Sequence, residues 1–321
     1  MFSFLLVALL LIILPAEGSS GNYRTYTLTP HVIVVEKELQ NTVLVPLSCG
    51  ATEGMEISWR REDGRLLPNG GNNISIPVPM MMGGKFTCHD NAGTLLNHQL
   101  VLVQLRNPSQ RKILERTGDS DYIQCLSRNY NGDFHCSWKW TQDGSTKREG
   151  AVVYISAKRS SGSENITCTV DEDGAGISCL DKFQCQYAEE LDFINLRVYL
   201  RYKHRVEEYV KDFYISEIVR PDRIAITKVD GETFQMQYPK TWSRPASYFP
   251  LTFHIKVLSL VRGRDCTFQP EPQDSHEVQE METQNETFSV GNRGQFLLCV
   301  RAQDQLCNLK SWSEWSHYEM K

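Results

Sequence analysis

The segment "CLSRNYNGDFHCSWKW", Cys125–Trp140, contains the most informative local pattern in this 321-residue chain. Its two cysteines flank Asn131-Gly132, which is the strongest short-range signal for a β-hairpin turn. The pair Cys125–Cys136 therefore predicts a disulfide between adjacent strands of one hairpin, not a bridge between two sheets.

The same pattern occurs again further along, in "ENITCTVDEDGAGISC". Cys168 and Cys179 flank a turn rich in Asp and Gly, so we predict a second hairpin disulfide between them. The acidic run could indicate calcium, but the other ligands of a calcium loop are missing. A turn is the better interpretation, and no metal site is predicted.

An immunoglobulin-like pattern precedes the first hairpin, in residues 23–106. Cys49 is followed by Trp59 and then by Cys88. This order predicts a disulfide between two sheets with the indole packed against it. Phe86 stands where such domains usually carry a tyrosine, so the hydrogen bond of a tyrosine corner cannot form.

Short alternating runs separated by Gly, Asn, Asp and Pro recur along the chain, and helical patterns are almost absent. Spacing of roughly 8–12 residues is typical of antiparallel sandwiches. We therefore predict an all-β fold, with an immunoglobulin-like sandwich at 23–106 and two further sandwiches at 107–220 and 221–321. In the third, Leu251, Phe253, Ile255 and Val257 would fill the core, and His254 and Lys256 would point outward.

The amino terminus resembles a secretory signal peptide. The apolar run from Phe4 to Leu14 is too short to span a bilayer, and Ala16 and Gly18 suit cleavage near residue 18. A buried N-terminal helix is the alternative for residues 1–18. Because no later segment has about 18 uncharged apolar residues, we expect a secreted, extracellular protein without membrane insertion.

Ten cysteines in such a chain indicate disulfides before metal ligands. Cys185 is left over once the hairpin pairs form, which suggests an intermolecular bridge. The alternative is a bond from Cys185 to Cys168 or Cys179. The sequence leaves the pairing of Cys266, Cys299 and Cys307 open.

Other functions are disfavoured by composition and by missing motifs. No nucleophile elbow, zinc-protease motif or phosphate loop is present, so neither an enzyme nor a cofactor is predicted. The net charge of −5 argues against nucleic acid. Basic clusters at 201–205 and 261–264 fit either a charged sheet edge or a surface for sulfated glycans. Three N-glycosylation sequons agree with secretion: Asn73, Asn165 and Asn285.

A second motif, "WSEWS", lies near the carboxyl end and consists of Trp312, Ser313, Glu314, Trp315 and Ser316. Together with the hairpin cysteines it resembles the cytokine-binding module of class I cytokine receptors. The resemblance implies two fibronectin type III-like sandwiches, at 107–220 and 221–321, that meet at an elbow.

The WSEWS motif is predicted to stabilise its own domain. Its two indoles can enclose Arg301 as a cation–π sandwich, and Lys256 can extend the stack. The flanking serines can bond backbone groups of a bulged strand. Trp312 also has the W-x-x-W context in which this family carries C-mannosylation.

A narrower resemblance is to the secreted, receptor-like beta subunits of heterodimeric cytokines. It rests on the immunoglobulin-like domain, on "YPKTWSRPASYFPLTF" and on "VRAQD". It implies a disulfide through Cys185 to a four-helix-bundle alpha subunit, and signalling through class I cytokine receptor chains on immune cells. The residues that match the family's alpha-binding positions are Tyr130, Cys185, Glu189, Tyr248 and Asp304.

The sequence is also compatible with other functions. A soluble receptor alpha chain, a decoy or a homodimeric antagonist would bind a helical cytokine without a covalent bond, and an adhesion protein could use the same sandwiches. An interchain bridge through Cys185 argues against a carrier that releases its ligand. Leu306 and Cys307 stand beside Asp304 where the family tends to have tyrosines, so this part of the interface is expected to differ from the family's. A second intermolecular disulfide through Cys307, or a homodimer through a free thiol, is also open.

Overall fold

The computed structural model describes residues 23–51, 53–117, 121–141, 151–162, 164–184, 190–242, 249–260, 265–269, 278–291, 294–305 and 311–321. These residues form β-strands with a single α-helix of one turn, α1 (Ile215–Ile218). The predicted all-β fold is confirmed. The predicted signal peptide at 1–18 lies outside the described residues. Within them, no helix is long and apolar enough to cross a membrane.

Contacts divide the chain into two compact units, Met1–Asn107 and Pro108–Lys321. The second unit includes both sandwiches that the sequence predicts after residue 106. The predicted boundary between residues 220 and 221 stays a prediction.

The first unit is a two-sheet sandwich. One sheet has the strand order β1-β2-β7-β6-β4, in which β2 and β7 run parallel and the other pairs antiparallel, and the second sheet pairs β3 with β5. Its strands are β1 (Tyr23–Thr29), β2 (Val32–Lys37), β3 (Val43–Ser48), β4 (Ser58–Arg61), β5 (Asn73–Val78), β6 (Gly84–His89) and β7 (Leu95–Leu105).

The core of this unit forms around a bridge between the two sheets. Cys49 follows β3 and bonds to Cys88 on β6, with an S–S distance of 1.98 Å. Trp59 is fully buried in the same cluster, and its indole donates to the carbonyl of Gly71 at 2.9 Å. Burial of a large indole whose N–H is paired explains why one tryptophan can anchor the sandwich.

The first half of the second unit packs two sheets, β11-β12-β9-β8 and β10-β13-β14. Its strands are β8 (Ile123–Leu126), β9 (Asp133–Trp138), β10 (Val152–Arg159), β11 (Thr167–Val170), β12 (Gly176–Leu180), β13 (Ile194–Tyr202) and β14 (Arg205–Phe213). Disulfides join directly opposed residues of β8 and β9 and of β11 and β12: Cys125–Cys136 and Cys168–Cys179.

The second half again has two sheets, β15-β16-β19 and β18-β17-β20-β21. Its strands are β15 (Ala225–Lys228), β16 (Thr233–Gln237), β17 (Leu251–Ser259), β18 (Val278–Thr283), β19 (Thr287–Ser289), β20 (Phe296–Asp304) and β21 (Ser316–Met320). One-turn 3-10 helices lie at Pro108–Gln110 and Lys240–Trp242.

Alternation along β17 follows the predicted pattern on its inner face, where Leu251, Phe253, Ile255 and Val257 are fully buried. The outer face differs from the prediction. His254 and Lys256 point away from this core, as expected, yet both are buried. The indoles that follow β20 cover them, as described below.

Candidate functional site

A hydrogen bond joins the two halves of the second unit at their junction, which we call the elbow. Tyr130 lies in the turn between β8 and β9, and Asp304 is the last residue of β20. The Tyr130 hydroxyl donates to Oδ2 of Asp304 at 2.6 Å. Tyr130 is 8% exposed and Asp304 is 2% exposed. Two residues predicted to bind an alpha subunit therefore lie together and largely buried in the chain alone.

Aromatic rings surround the tyrosine. The ring centroids of Phe249 and Trp242 lie 5.3 and 6.0 Å from that of Tyr130, both in edge-on orientation. The Trp242 indole donates to the carbonyl of Phe249 at 3.0 Å. Edge-on packing of this kind adds about 0.5–1.5 kcal/mol per pair beyond burial, so the rings hold the phenol in place.

Asn129 fixes the same turn from its other side. Its Nδ2 donates to the carbonyl of Thr241 at 2.8 Å, and its Oδ1 accepts from the backbone N–H of Asn131 at 2.8 Å. Thr241 in turn donates from its hydroxyl to Oδ2 of Asp222 at 2.8 Å. Because Asn129 is buried and bonded on both sides, the β8–β9 turn is tied to the second half of the unit.

Ser127 ties the turn to the linker between the two halves. The backbone N–H of Ser127 donates to the carbonyl of Ile218, and the carbonyl of Ser127 accepts from the N–H of Arg220. Its hydroxyl lies 2.6 and 2.7 Å from the carbonyl oxygens of Asn129 and Asp133. The elbow is therefore stabilised in two ways. Ser127 bonds to the linker at Ile218 and Arg220, and other hydrogen bonds join the two halves directly.

Three of the five predicted alpha-binding residues lie outside the described part of the chain: Cys185, Glu189 and Tyr248. The structure thus brings Tyr130 and Asp304 together and leaves the other three untested. The sequence analysis did not identify Asn129 or Ser127 as residues of the elbow. The pattern Asn129-Tyr130-Asn131 could have indicated Asn129, because an asparagine side chain in a turn often bonds the backbone two residues on.

The WSEWS motif forms the predicted stack. The Arg301 guanidinium carbon lies 4.9 Å from the ring centroid of Trp312 and 4.4 Å from that of Trp315. The Lys256 ammonium lies 5.4 Å from the Trp315 ring. The predicted cation–π sandwich around Arg301 is confirmed as geometry, and C-mannosylation of Trp312 stays a prediction.

His254 joins this stack, which the sequence analysis did not anticipate. Its ring centroid lies 5.3 Å from that of Trp312 and 5.1 Å from that of Trp315. Arg301 Nε donates to its Nδ1 at 2.9 Å, so its Nε2 carries the proton and donates to Glu280 at 2.5 Å. Burial, and secondarily the positive charge of Arg301, lower the pKa of His254 despite the opposing effect of Glu280.

The three predicted glycan acceptors, Asn73, Asn165 and Asn285, are exposed, as an acceptor of a glycan must be.

The disulfide pairing that the sequence left open is partly settled. Cys266 bonds to Cys299, and Cys307 lies outside the described residues. In the described ranges no group of three or more His, Cys, Asp or Glu side chains could hold a metal ion.

The basic cluster at 201–205 is partly paired. Arg205 Nε lies 2.6 Å from Oε1 of Glu207, whereas Lys203 is exposed. The other cluster, at 261–264, lies outside the described residues. Binding of sulfated glycans therefore stays a prediction.

Comparison with known proteins agrees with this architecture. The family model described as "Cytokine interleukin-12p40 C-terminus" matches residues 120–202, which include the β8–β9 hairpin. The interleukin-12 subunit beta of Mesocricetus auratus is 26% identical over 290 residues, covering 84% of each chain. The human subunit is 27% identical over 299 residues and covers 85% of each.

The chain is similar to interleukin-12 beta subunits. The narrower resemblance, to the beta subunits of heterodimeric cytokines, is thereby confirmed. The Lama glama subunit, 28% identical over 239 residues, covers 66% of this chain and 71% of its own. These relatives support a cytokine subunit, and secretion and glycosylation fit such a protein. They are named as cytokine subunits and not as enzymes.

Proposed function

We propose that this chain is the secreted beta subunit of a heterodimeric cytokine of the interleukin-12/interleukin-23 type. It binds a four-helix-bundle alpha subunit at the elbow and is linked to it by a disulfide through Cys185. The heterodimer signals through class I cytokine receptor chains on immune cells. The buried Tyr130–Asp304 hydrogen bond at the elbow supports the proposal, because it brings together two positions that the resemblance assigns to alpha-subunit binding.

The chemistry of this pair suits a basic partner. Asp304 is a carboxylate almost withdrawn from water, and a charge-assisted hydrogen bond is stronger in such a place than at an open surface. The surrounding aromatic rings supply rigid apolar area of the kind that dominates interface energetics. An arginine of the alpha subunit that reaches the rim of the pair would therefore gain both contributions.

A non-reducing gel of the secreted protein, with and without a co-expressed interleukin-12-type alpha subunit, tests the covalent link. We expect a heterodimer band that Cys185→Ser abolishes. Cys307→Ser is the matched control, since Cys307 is the other cysteine left without a predicted partner in the chain. An unchanged band in Cys185→Ser would show that another residue forms the bridge.

The same experiment separates the alternatives. Co-purification of a helical cytokine without any covalent band would favour a soluble receptor chain. A band at twice the mass of the chain alone would favour a homodimer. If no helical cytokine co-purifies with the wild type or with Cys185→Ser, the proposed subunit role is wrong.

A further inference from the structure

The turn that carries Tyr130 contains the dipeptide Asn131-Gly132, in which a side-chain amide and the next backbone nitrogen can react with each other. Asn131 is exposed, and the glycine after it has no Cβ to shield its nitrogen. Asn129 lies in the same turn, is 5% exposed, and has its side-chain amide bonded on both sides. These two asparagines therefore differ in exposure and in the size of the residue that follows them.

Packing restricts position 132 to glycine. Gly132 has a φ of +91°, and a Cβ there would lie 2.4 Å from the backbone oxygen of Asp181 and 2.7 Å from the Cβ of Gln184. The carbonyl of Gly132 also accepts from the backbone N–H of Asp181 at 2.9 Å. A larger residue, which would hinder attack by the backbone nitrogen, cannot occupy this position without disturbing the turn at 181–184.

We propose that Asn131 is a site of spontaneous deamidation and isoaspartate formation, and that the isoaspartate product opens the contact between its turn and Asp181. Isoaspartate carries the main chain through its Cβ and Cγ, so the backbone becomes longer by one methylene group. The close approach of Gly132 to Asp181 and Gln184 leaves no space for that insertion. The reaction limits the lifetime of the elbow and does not depend on the proposed function.

The chemistry proceeds in two steps. Hydroxide removes the Gly132 amide proton, and the nitrogen attacks Cγ of Asn131. The new N–Cγ bond closes a succinimide, the Cγ–Nδ2 bond breaks, and ammonia leaves with a proton returned by water. Water then adds to one imide carbonyl and breaks its bond to nitrogen, which gives aspartate if it adds at Cγ and isoaspartate if it adds at the backbone carbonyl. The net change is uptake of water and release of ammonia, without oxidation or reduction.

Aspartate and isoaspartate are expected to affect the turn differently. Both add one negative charge, but only isoaspartate lengthens the backbone between residue 131 and Gly132. The hydrogen bond from Asp181 to the Gly132 carbonyl should therefore survive in the aspartate form and open in the isoaspartate form. Apart from glycines, only Met80 and Lys203 among the described residues have a positive φ, so position 131 accepts aspartate or glutamine without backbone strain.

Incubation of the full chain at mildly alkaline pH, followed by peptide mapping with fragmentation in a mass spectrometer, tests the modification. We expect Asn131 to deamidate at least about tenfold faster than Asn129, which corresponds to a difference of about 1.4 kcal/mol between the two barriers. Asn131→Gln should abolish the reaction, because the larger ring that glutamine would close forms more slowly. Asn69-Gly70 is a second exposed Asn-Gly pair and serves as the positive control. The proposal is overturned if Asn131 stays unmodified, whether or not Asn69 reacts, or if Asn129 reacts as fast.

Hydrogen–deuterium exchange tests the structural consequence. The isoaspartate form is purified by ion exchange and identified by isoaspartyl methyltransferase labelling. Its Asp181 amide should exchange at least about tenfold faster than in the native chain, whereas Asn131→Asp should stay within about twofold of the native rate. The amide of Asp171, which donates to the carbonyl of Gly176 at 3.0 Å in a neighbouring turn, is the matched control and should not change. Native protection of Asp181 in the isoaspartate form, or equal loss in Asn131→Asp, would overturn the proposed effect on the turn.

Discussion

Acidification from about pH 7.5 to about pH 5.5 is expected to destabilise the second half of the unit Pro108–Lys321 through His254. In the folded chain this imidazole is neutral, because its Nδ1 accepts from Arg301. A proton on Nδ1 would break that bond and place a cation beside a guanidinium. The other charged groups that face it are Lys256 on its own strand and Glu280 and Glu282 on β18.

The magnitude follows from proton linkage. The folded pKa of His254 is lowered by burial and by Arg301, whereas the unfolded chain takes up a proton near the ordinary histidine pKa of about 6.5. The stabilisation is therefore fully present above about pH 6.5 and is lost as pH falls toward the folded pKa. A histidine that stayed neutral in the fold down to pH 5.5 would give the largest loss, roughly 1 kcal/mol between about pH 7.5 and 5.5. For a unit of this size that loss lowers the melting temperature by at most about 2–4 °C.

Differential scanning calorimetry of the intact chain at both pH values measures the loss, and His254→Asn identifies its source. The asparagine Oδ1 can accept the Arg301 hydrogen bond and does not titrate, so this part of the pH dependence should disappear. His135→Asn is the matched control, because His135 is exposed and paired with Asp171. The reasoning is refuted if His254→Asn keeps the wild-type loss, or if NMR shows His254 titrating near pH 6.5 in the folded chain.

Three further predictions concern the elbow, the second-half disulfide and the WSEWS stack. Tyr130→Phe leaves the buried Asp304 without that donor, so urea unfolding should show a loss of about 1–3 kcal/mol; an unchanged midpoint would mean that another donor replaces the hydroxyl. Replacing Cys266 and Cys299 together by alanine opens a loop with a separation of 33 residues and should cost about 3–4 kcal/mol. A wild-type melting temperature would contradict this. Arg301→Ala should lower the secreted yield more than it weakens alpha-subunit binding, because cation–π contacts worth about 0.5–2 kcal/mol each are lost; the opposite order would make the stack an interface.

Local patterns explain why much of the fold could be predicted. The hairpin disulfides Cys125–Cys136 and Cys168–Cys179 each depend on one short turn, and turn chemistry is encoded in adjacent residues. The alternation in β17 likewise identified its buried face without knowledge of the partner strand. These features could be predicted because the contacts that determine them lie within a few residues of one another along the chain.

Features that depend on distant contacts were missed. His254 lies on the face that alternation calls outward, and only the register of β17 with β20 places Arg301 opposite it, under the indoles. The Tyr130–Asp304 bond joins residues 174 positions apart. The resemblance assigned both residues to one surface, but no sequence pattern indicated that they contact each other.

The WSEWS motif contributes to the elbow through the backbone of β20. Ser313 donates its N–H to the carbonyl of Ala302 at 2.7 Å, and its hydroxyl accepts from the N–H of Ala302 at 2.9 Å. Glu314 pairs with Arg220, whose own N–H donates to Ser127 beside the Tyr130 turn. Because Asp304 lies two residues after Ala302, loosening the motif would displace the carboxylate that meets Tyr130. The scaffold role of the tryptophans and the proposed binding role of the elbow are therefore linked, because both depend on the position of β20.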